Sequence, residues 1–156
     1  MIRRLAYEIL EKNRGAENLT ILGILSRGDV LGRALAAEIS VIESTEVAYH
    51  PLDTAPFRDD VGDEAAPELD GAQPMIEDRD VILVDDVLFT GRTVRAALDA
   101  LIRFGRPRSI QLTVLIDRGH REYPIQPDFV GRKMPTKHRE RVEVTLGDSP
   151  LVEVIE

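Results

Sequence analysis

The stretch DVILVDDVLFTGRT, Asp80 to Thr93, decides the fold. Val81-Ile82-Leu83-Val84 is short, rich in β-branched residues and free of polar interruption. It reads as a strand buried on both faces of a parallel sheet, ending at two carboxylates, Asp85 and Asp86. After Thr90-Gly91-Arg92-Thr93 a helical pattern begins, with Val94, Ala97, Leu98 and Leu101 on one face. Ligands of open α/β sheets bind at the carboxyl ends of such strands.

The atoms of this turn limit what it can hold. Thr90, Gly91 and Thr93 fall where backbone N–H groups lack intrahelical partners and the helix dipole is positive, which makes an anion site suited to a monophosphate. Gly91 allows close approach, and the two threonines add hydroxyl donors. Asp85 and Asp86 would repel a phosphate. They suit the vicinal hydroxyls of a sugar, directly or through a hydrated divalent cation. Together the two halves describe a ribose 5-phosphate site. Two acids after a core strand also suit a helix cap, but the full succession of strand, acids and Thr-Gly-Arg-Thr favours the ligand.

Outward from this segment the chain repeats the strand–loop–helix unit. Leu19 to Leu25 reads as a second buried strand, followed by Ser26-Arg27-Gly28 and a helix carrying Val30, Leu31, Ala34, Leu35 and Ile39. Arg27 emerges on the ligand side, and its planar fork suits phosphate oxygens. Ahead of it, Ile2, Leu5, Ala6, Ile9 and Leu10 recur at helical spacing and Asn13-Arg14-Gly15 is a helix stop. That helix has no room for a cap, which raises the expectation of a missing preceding segment. Thr45 to Tyr49 fits a third strand. Ser109 to Ile116 fits another, ending in the polar loop Asp117 to Pro124, with Phe129-Val130-Gly131 beyond. Arg141 to Leu146 and Leu151 to Ile155 alternate as a closing antiparallel hairpin.

The expected architecture is one α/β domain over residues 1–156, a parallel-sheet core flanked by helices. Between about 52 and 78 no period survives, and a span that long is functional or mobile. It reads either as a disordered acidic insertion or as a flexible lid that excludes water, with Arg58 reaching a diphosphate. Without cysteines the chain has neither disulfides nor thiolate metal sites. No apolar run approaches the roughly 20 residues that cross a membrane, so a cytoplasmic location is expected.

The net charge of −8 at first argues against nucleic acid. Its distribution matters more: Asp53 to Asp80 holds ten acids and two arginines, a net of −8, so the remainder is neutral. Arg103 to Arg141 carries ten Lys/Arg against four Asp/Glu, which allows a local basic surface.

The Asp85 segment closely resembles the phosphoribosyl-pyrophosphate (PRPP) signature of type I phosphoribosyltransferases. The succession that follows narrows this: Arg95 to Leu101, Gly105-Arg106-Pro107, Ile110-Gln111-Leu112, Asp117-Arg118-Gly119-His120-Arg121-Glu122, Pro124-Ile125 and Asp128-Phe129-Val130-Gly131. With Leu5 to Ile9 it resembles the PyrR family, bifunctional regulators of pyrimidine operons that are also uracil phosphoribosyltransferases.

The resemblance implies the type I phosphoribosyltransferase fold with a small hood over the site. It implies conversion of uracil and PRPP, with Mg2+, to UMP and diphosphate. It also implies UMP-favoured binding of the pyrimidine operon leader mRNA, which promotes termination by attenuation, and assembly as a homodimer or tetramer. Carried onto this chain, Arg27, Arg58, Asp85 and Asp86 are catalytic. PRPP or nucleotide is bound by Ser26, Arg27, Gly28, Asp85, Asp86, Val87, Leu88, Thr90, Gly91, Arg92, Thr93, Arg118 and Val130. Asp85 and Asp86 meet the metal indirectly, via ribose or water. RNA falls to Arg3, Arg4, Tyr7, His120, Arg121 and Arg132. Leu25-Ser26 stands where many members have Lys-Thr, so weaker turnover is implied. Two other readings stay open: a regulator with little catalysis, and a phosphoribosyltransferase for another base with no RNA role.

Overall fold

The structure, a computed structural model, describes residues 1–25, 27–57, 74–146 and 151–155. Its elements in order are α1 (Ile2–Asn13), β1 (Leu19–Ile24), α2 (Arg27–Glu43), β2 (Ala48–Leu52), a 3-10 turn (Ala55–Phe57), β3 (Asp80–Leu88), α3 (Arg92–Leu101), β4 (Ser109–Asp117), β5 (Phe129–Lys133), β6 (Arg141–Thr145) and β7 (Leu151–Ile155). Five strands form one parallel sheet in the order β2-β1-β3-β4-β5. The chain runs outward from β1 to β2, then crosses back to β3 and runs the other way. The crevice between the carboxyl ends of β1 and β3 is therefore the switch point, where open sheets bind ligands.

Strand β3 is central because its sequence allows nothing else. Val81 to Val84 are completely buried, so both faces must be covered. Ile82 and Val84 join Leu5, Ile9, Leu31, Leu35 and Ile39 in a core under α1 and α2. Val81 and Leu83 join Val94, Ala97, Ala100 and Leu101 in a second core under α3. The hairpin β6–β7 packs Val142, Val144 and Val152 onto the first core and forms the hood. Where α1 stops, Arg14 takes the left-handed conformation and Gly15 follows at φ 116°, as the Asn-Arg-Gly signal required.

Three expectations shift. Strand β3 does not stop at the acids: it continues to Leu88, with Asp85 opposite Val114 and Leu88 opposite Asp117. Pairing with β4 satisfies the backbone there, so two carboxylates do not break the ladder. The third strand is Ala48–Leu52, three residues later than the sequence suggests, and it contains Pro51. A proline fits because β2 is an edge strand paired only with β1. Helix α2 starts at Arg27, and Val30 is 53% exposed while Gly28, Leu31 and Gly32 face inward. Residues 58–73 of the acidic segment, Arg58 included, lie outside the described residues, as do Ser26 and the hairpin turn at 147–150; at the segment's two ends Leu52, Thr54 and Ile76 are buried.

Gly28 locks β1's exit to β3. A Cβ there would sit 2.5 Å from the Val84 carbonyl oxygen and 3.1 Å from Asp85 Cα, both backbone atoms. Gly28→Ala is expected to destabilise the fold by about 1–3 kcal/mol, as overpacking does. Thermal unfolding checks this, and an unchanged melting temperature would show that α2 can lift from β3 at no cost.

Candidate functional site: an anion loop facing two buried carboxylates

The site is built where β3 hands over to α3. Gly91 precedes the helix at φ 92°, a left-handed conformation that favours glycine, and its carbonyl accepts the N–H of Arg95 at 2.9 Å. A Cβ at Gly91 would also come within 3.3 Å of Ile125 and 3.4 Å of the Tyr123 Cβ. Arg92 and Thr93 are exposed at the first turn. The Thr90 hydroxyl accepts the Arg92 N–H at 3.2 Å. This arrangement leaves a helix start open to an anion.

Asp85 and Asp86 lie behind this loop, each 9% exposed. Each takes the next backbone N–H: Asp86 N–H donates to Asp85 Oδ1 at 2.9 Å, and Val87 N–H to Asp86 Oδ1 at 2.7 Å. No cation faces them among the described residues. Burial, then the charge of Asp86 beside it, pushes the Asp85 carboxyl well above its ordinary value. Among the described residues no three His, Cys, Asp or Glu side chains converge on a cation. A carboxylate pair nonetheless suits Mg2+ that keeps its waters and shares the phosphates of a substrate.

The opposite wall is the loop after β4. Glu122 and Tyr123 N–H both donate to the Thr90 carbonyl, at 2.8 and 3.1 Å, and Arg92 Nε meets Glu122 Oε2 at 2.6 Å. Arg121 runs through the middle: it donates to Asp117 Oδ2 at 2.6 Å, to the Phe89 carbonyl at 3.0 Å and to the Ile125 carbonyl at 2.8 Å. Burial raises the Asp117 carboxyl, but the Arg121 hydrogen bond and the Gly119 N–H outweigh it and hold the group below its ordinary value. A cavity of about 360 Å³ opens between Asp117, Lys133, Pro135 and Thr136 at the ends of β4 and β5.

Gly28 packs against Asp85, and Arg27 at the start of α2 and the Thr90–Thr93 loop at the start of α3 follow the carboxyl ends of the neighbouring strands β1 and β3. Val87 and Leu88 continue β3 toward it, and Val130 lies on β5. Arg118 sits 3.9 Å from the Phe89 ring centre and donates to Thr136 Oγ1 and to the carbonyls of Lys137 and His138. Its guanidinium braces the segment between β5 and β6. Of the RNA candidates, Arg4 reaches the Gly131 carbonyl, next to exposed Arg132 on β5. Tyr7 is 53% exposed, and Arg3 pairs with Glu38 of α2 at 2.9 Å. His120 contacts the Thr136 carbonyl at 2.5 Å. Arg121 is turned inward, and its truncation would strip partners from Asp117 and two carbonyls. Sequence reading missed the packed rings of Phe89, His120 and His138, whose centroids lie 5.3–5.7 Å apart. Positions so far apart in the chain leave no local signal.

Comparison with known proteins decides the family. The phosphoribosyl transferase domain model matches residues 1–145. "Bifunctional protein PyrR" of Deinococcus radiodurans is 50% identical over 164 residues, covering 99% of this chain and 86% of that one. The chain belongs to the PyrR family of phosphoribosyltransferases. "Bifunctional protein PyrR" of Brevibacillus brevis is 48% identical, covering 99% and 88%. In fold, the hypoxanthine phosphoribosyltransferase of Trypanosoma cruzi superposes with a TM-score of 0.69 at 20% identity, over 90% of this chain and 77% of that one. The α/β core of a type I phosphoribosyltransferase, a parallel five-stranded sheet flanked by helices, is thus present here. No helix among the described residues is long and apolar enough to cross a membrane.

The raised Asp85 carboxyl links stability to pH. Below the ordinary value of 3.8 both folded and unfolded chains hold the proton. As pH rises past it the unfolded chain ionises first, and stability falls until Asp85 itself ionises. Asp85→Asn is therefore expected to raise the melting temperature of the ligand-free protein at pH 7 and to bring no advantage at pH 3. An advantage that is the same at both pH values would mean that Asp85 is not held protonated by burial.

Proposed function

We propose that the protein is a UMP-responsive, RNA-binding regulator of a pyrimidine biosynthesis operon that acts by transcription attenuation. It also converts uracil and PRPP to UMP and diphosphate. One observation carries this reading: in a PyrR-family chain, two buried carboxylates and, a few residues on, a helix start opened by Gly91 stand together at the carboxyl end of β3, beside the sheet's switch point. A sugar diol fits the first and phosphate the second.

The residues divide the reaction between them. Thr90, Gly91, Arg92 and Thr93 anchor the 5′-phosphate, so remote binding energy positions the anomeric carbon. Asp85 and Asp86 hold the ribose hydroxyls, directly or through water on the metal. Their negative field steadies the positive charge that develops on the sugar. Mg2+, bound with PRPP, supplies charge neutralisation on the departing diphosphate. Arg27 adds to that from the start of α2, joined by Arg58 from the acidic segment. The 360 Å³ cavity beside Asp117 and Lys133 is the place for the base.

RNA is bound along the edge where α1 meets β5. Arg4 and Arg132 meet phosphates or guanine edges there, Tyr7 stacks, and Arg3 and His120 extend the surface, while Arg121, turned inward, shapes the loop that carries His120. The working unit is a homodimer or tetramer. A second reading, a regulator with little catalysis, is favoured by Leu25 and Ser26, which bring no cation to the diphosphate loop.

Two measurements separate these readings. Labelled uracil with Mg2+ and PRPP is expected to yield UMP, with kcat/KM about 10–100-fold lower in Asp86→Ala, the loss of charge-assisted hydrogen bonds. UMP binding without turnover would instead support the regulator alone. Filter binding of the pyrimidine leader stem-loop should tighten when UMP is added at moderate salt. Arg132→Ala should weaken it and reduce the salt slope by about one. No UMP effect on RNA affinity would remove the regulatory role.

A further inference from the structure

The first turn of α2 contains an acid, Asp29, two residues after Arg27. An acid there is well placed to satisfy the open N–H groups of its own helix and to repel any anion brought to them. The structure turns it away. Tyr49, on edge strand β2, donates its hydroxyl to Asp29 Oδ1 and lies 3.2 Å from the Asp29 carbonyl oxygen. Arg33, one turn along α2, reaches the same carboxylate oxygen at 3.0 Å. Arg33 is 61% exposed along its side chain, so its pair with Asp29 is weak in water. The tyrosine is the better-sheltered restraint.

The fold makes room for this contact. Gly32 of α2 passes so close to the tyrosine ring that a Cβ would sit 2.9 Å from a ring carbon. A Cβ on Gly23 of β1 would sit 2.7 Å from the Gly28 carbonyl oxygen and 2.9 Å from Asp29 Cα. Two glycines on two elements thus let the ring slide under α2 and reach Asp29. The Arg33 guanidinium covers the ring's other surface at 4.9 Å from its centre. Burial, then the hydrogen bond to Asp29, pushes the Tyr49 hydroxyl far above its ordinary value. It therefore stays a donor at neutral pH.

We propose that Tyr49 is a positioning residue: it holds the Asp29 carboxylate off the start of α2, leaving that end of the helix to the diphosphate of PRPP. The inference rests on the reading that Arg27 and Gly28 receive the diphosphate. Tyr49 itself touches no substrate. Its effect is selective, because UMP has no diphosphate and is held at the Thr90–Thr93 loop instead.

Calorimetric titration of the full chain with Mg2+-PRPP and, separately, with UMP tests this. Tyr49→Phe keeps the ring that Gly23 and Gly32 accommodate and removes only the hydroxyl. It should bind Mg2+-PRPP about tenfold more weakly, as expected for a lost hydrogen bond to a charged group, and bind UMP as the parent does. Tyr49→Phe combined with Asp29→Asn removes the charge and should recover PRPP affinity. PRPP affinity unchanged in Tyr49→Phe overturns the inference. So does an equal loss of PRPP and UMP affinity, or failure of Asp29→Asn to rescue, since either marks a general structural role. A parent protein that binds UMP but not PRPP defeats the underlying reading instead, and this inference with it.

Discussion

The structure depends on burying two adjacent carboxylates near the end of its central strand. Transferring an ionised carboxylate out of water costs several kcal/mol even after relaxation. Asp85 and Asp86 receive one backbone N–H each and no cation among the described residues, so that cost is only partly offset. Residues held this way are a standing source of instability, and such groups concentrate at functional sites. The acids nevertheless cannot move out. Strand β3 is paired on both sides, through β1 and β4, and its register past Asp85 is fixed by Val87 opposite Ile116. The sheet therefore holds the carboxylates at a place where a sugar diol and a hydrated cation would relieve them.

The same constraint explains the placing of the glycines. A crevice between β1 and β3 forms only if α2 leaves β1 steeply and lies close to β3. Gly28 permits this against the Val84 carbonyl, and Gly23 permits it against the returning backbone of Gly28 and Asp29. Phosphate-recognising backbone is thereby brought within reach of the acids. At the other end of the sheet, Asp80 is 5% exposed but well paired, taking the Arg108 guanidinium and Ser109 Oγ at 2.7 Å. Its carboxyl is held below the ordinary value, first by the Arg108 hydrogen bond. One strand thus begins on an acid paired with a cation and carries near its other end two that have none among the described residues, and only the second end can gain from a ligand.

Much of this was legible in the sequence because it is local. The apolar run 81–84, the helical faces of α1 and α3, the stop at Arg14-Gly15 and the Thr-Gly-Arg-Thr start of α3 each follow from neighbours in the chain. What escaped depends on distant partners. Pro51 reads as a strand breaker until β2 is known to be an edge. The family resemblance gives Arg118 to the nucleotide and Arg121 to RNA, and only tertiary contacts show that one stacks on Phe89 while the other ties three carboxylate and carbonyl oxygens together. Tyr49 and Asp29 lie 20 residues apart and carry no motif, so only their hydrogen bond brings them to notice.

The wall of the site also links its parts mechanically. The Thr90 carbonyl is held by two N–H groups from the loop that bears His120 and Arg121, and Arg92 is tied to Glu122 of that loop. Arg121 in turn grips the Phe89 carbonyl, one residue before Thr90. A phosphate that draws in the N–H groups of Arg92 and Thr93 must pull on this loop as well. Farther along, His120 leans on the Thr136 carbonyl and Arg118 on those of Lys137 and His138, so the displacement passes into the segment between β5 and β6. A nucleotide can bias an RNA-binding surface only through a difference in its contacts with two arrangements of the protein. The bonds from Thr90 to His138 form one contiguous chain that could carry such a difference. None of them would carry it if the phosphate loop closed without moving Thr90.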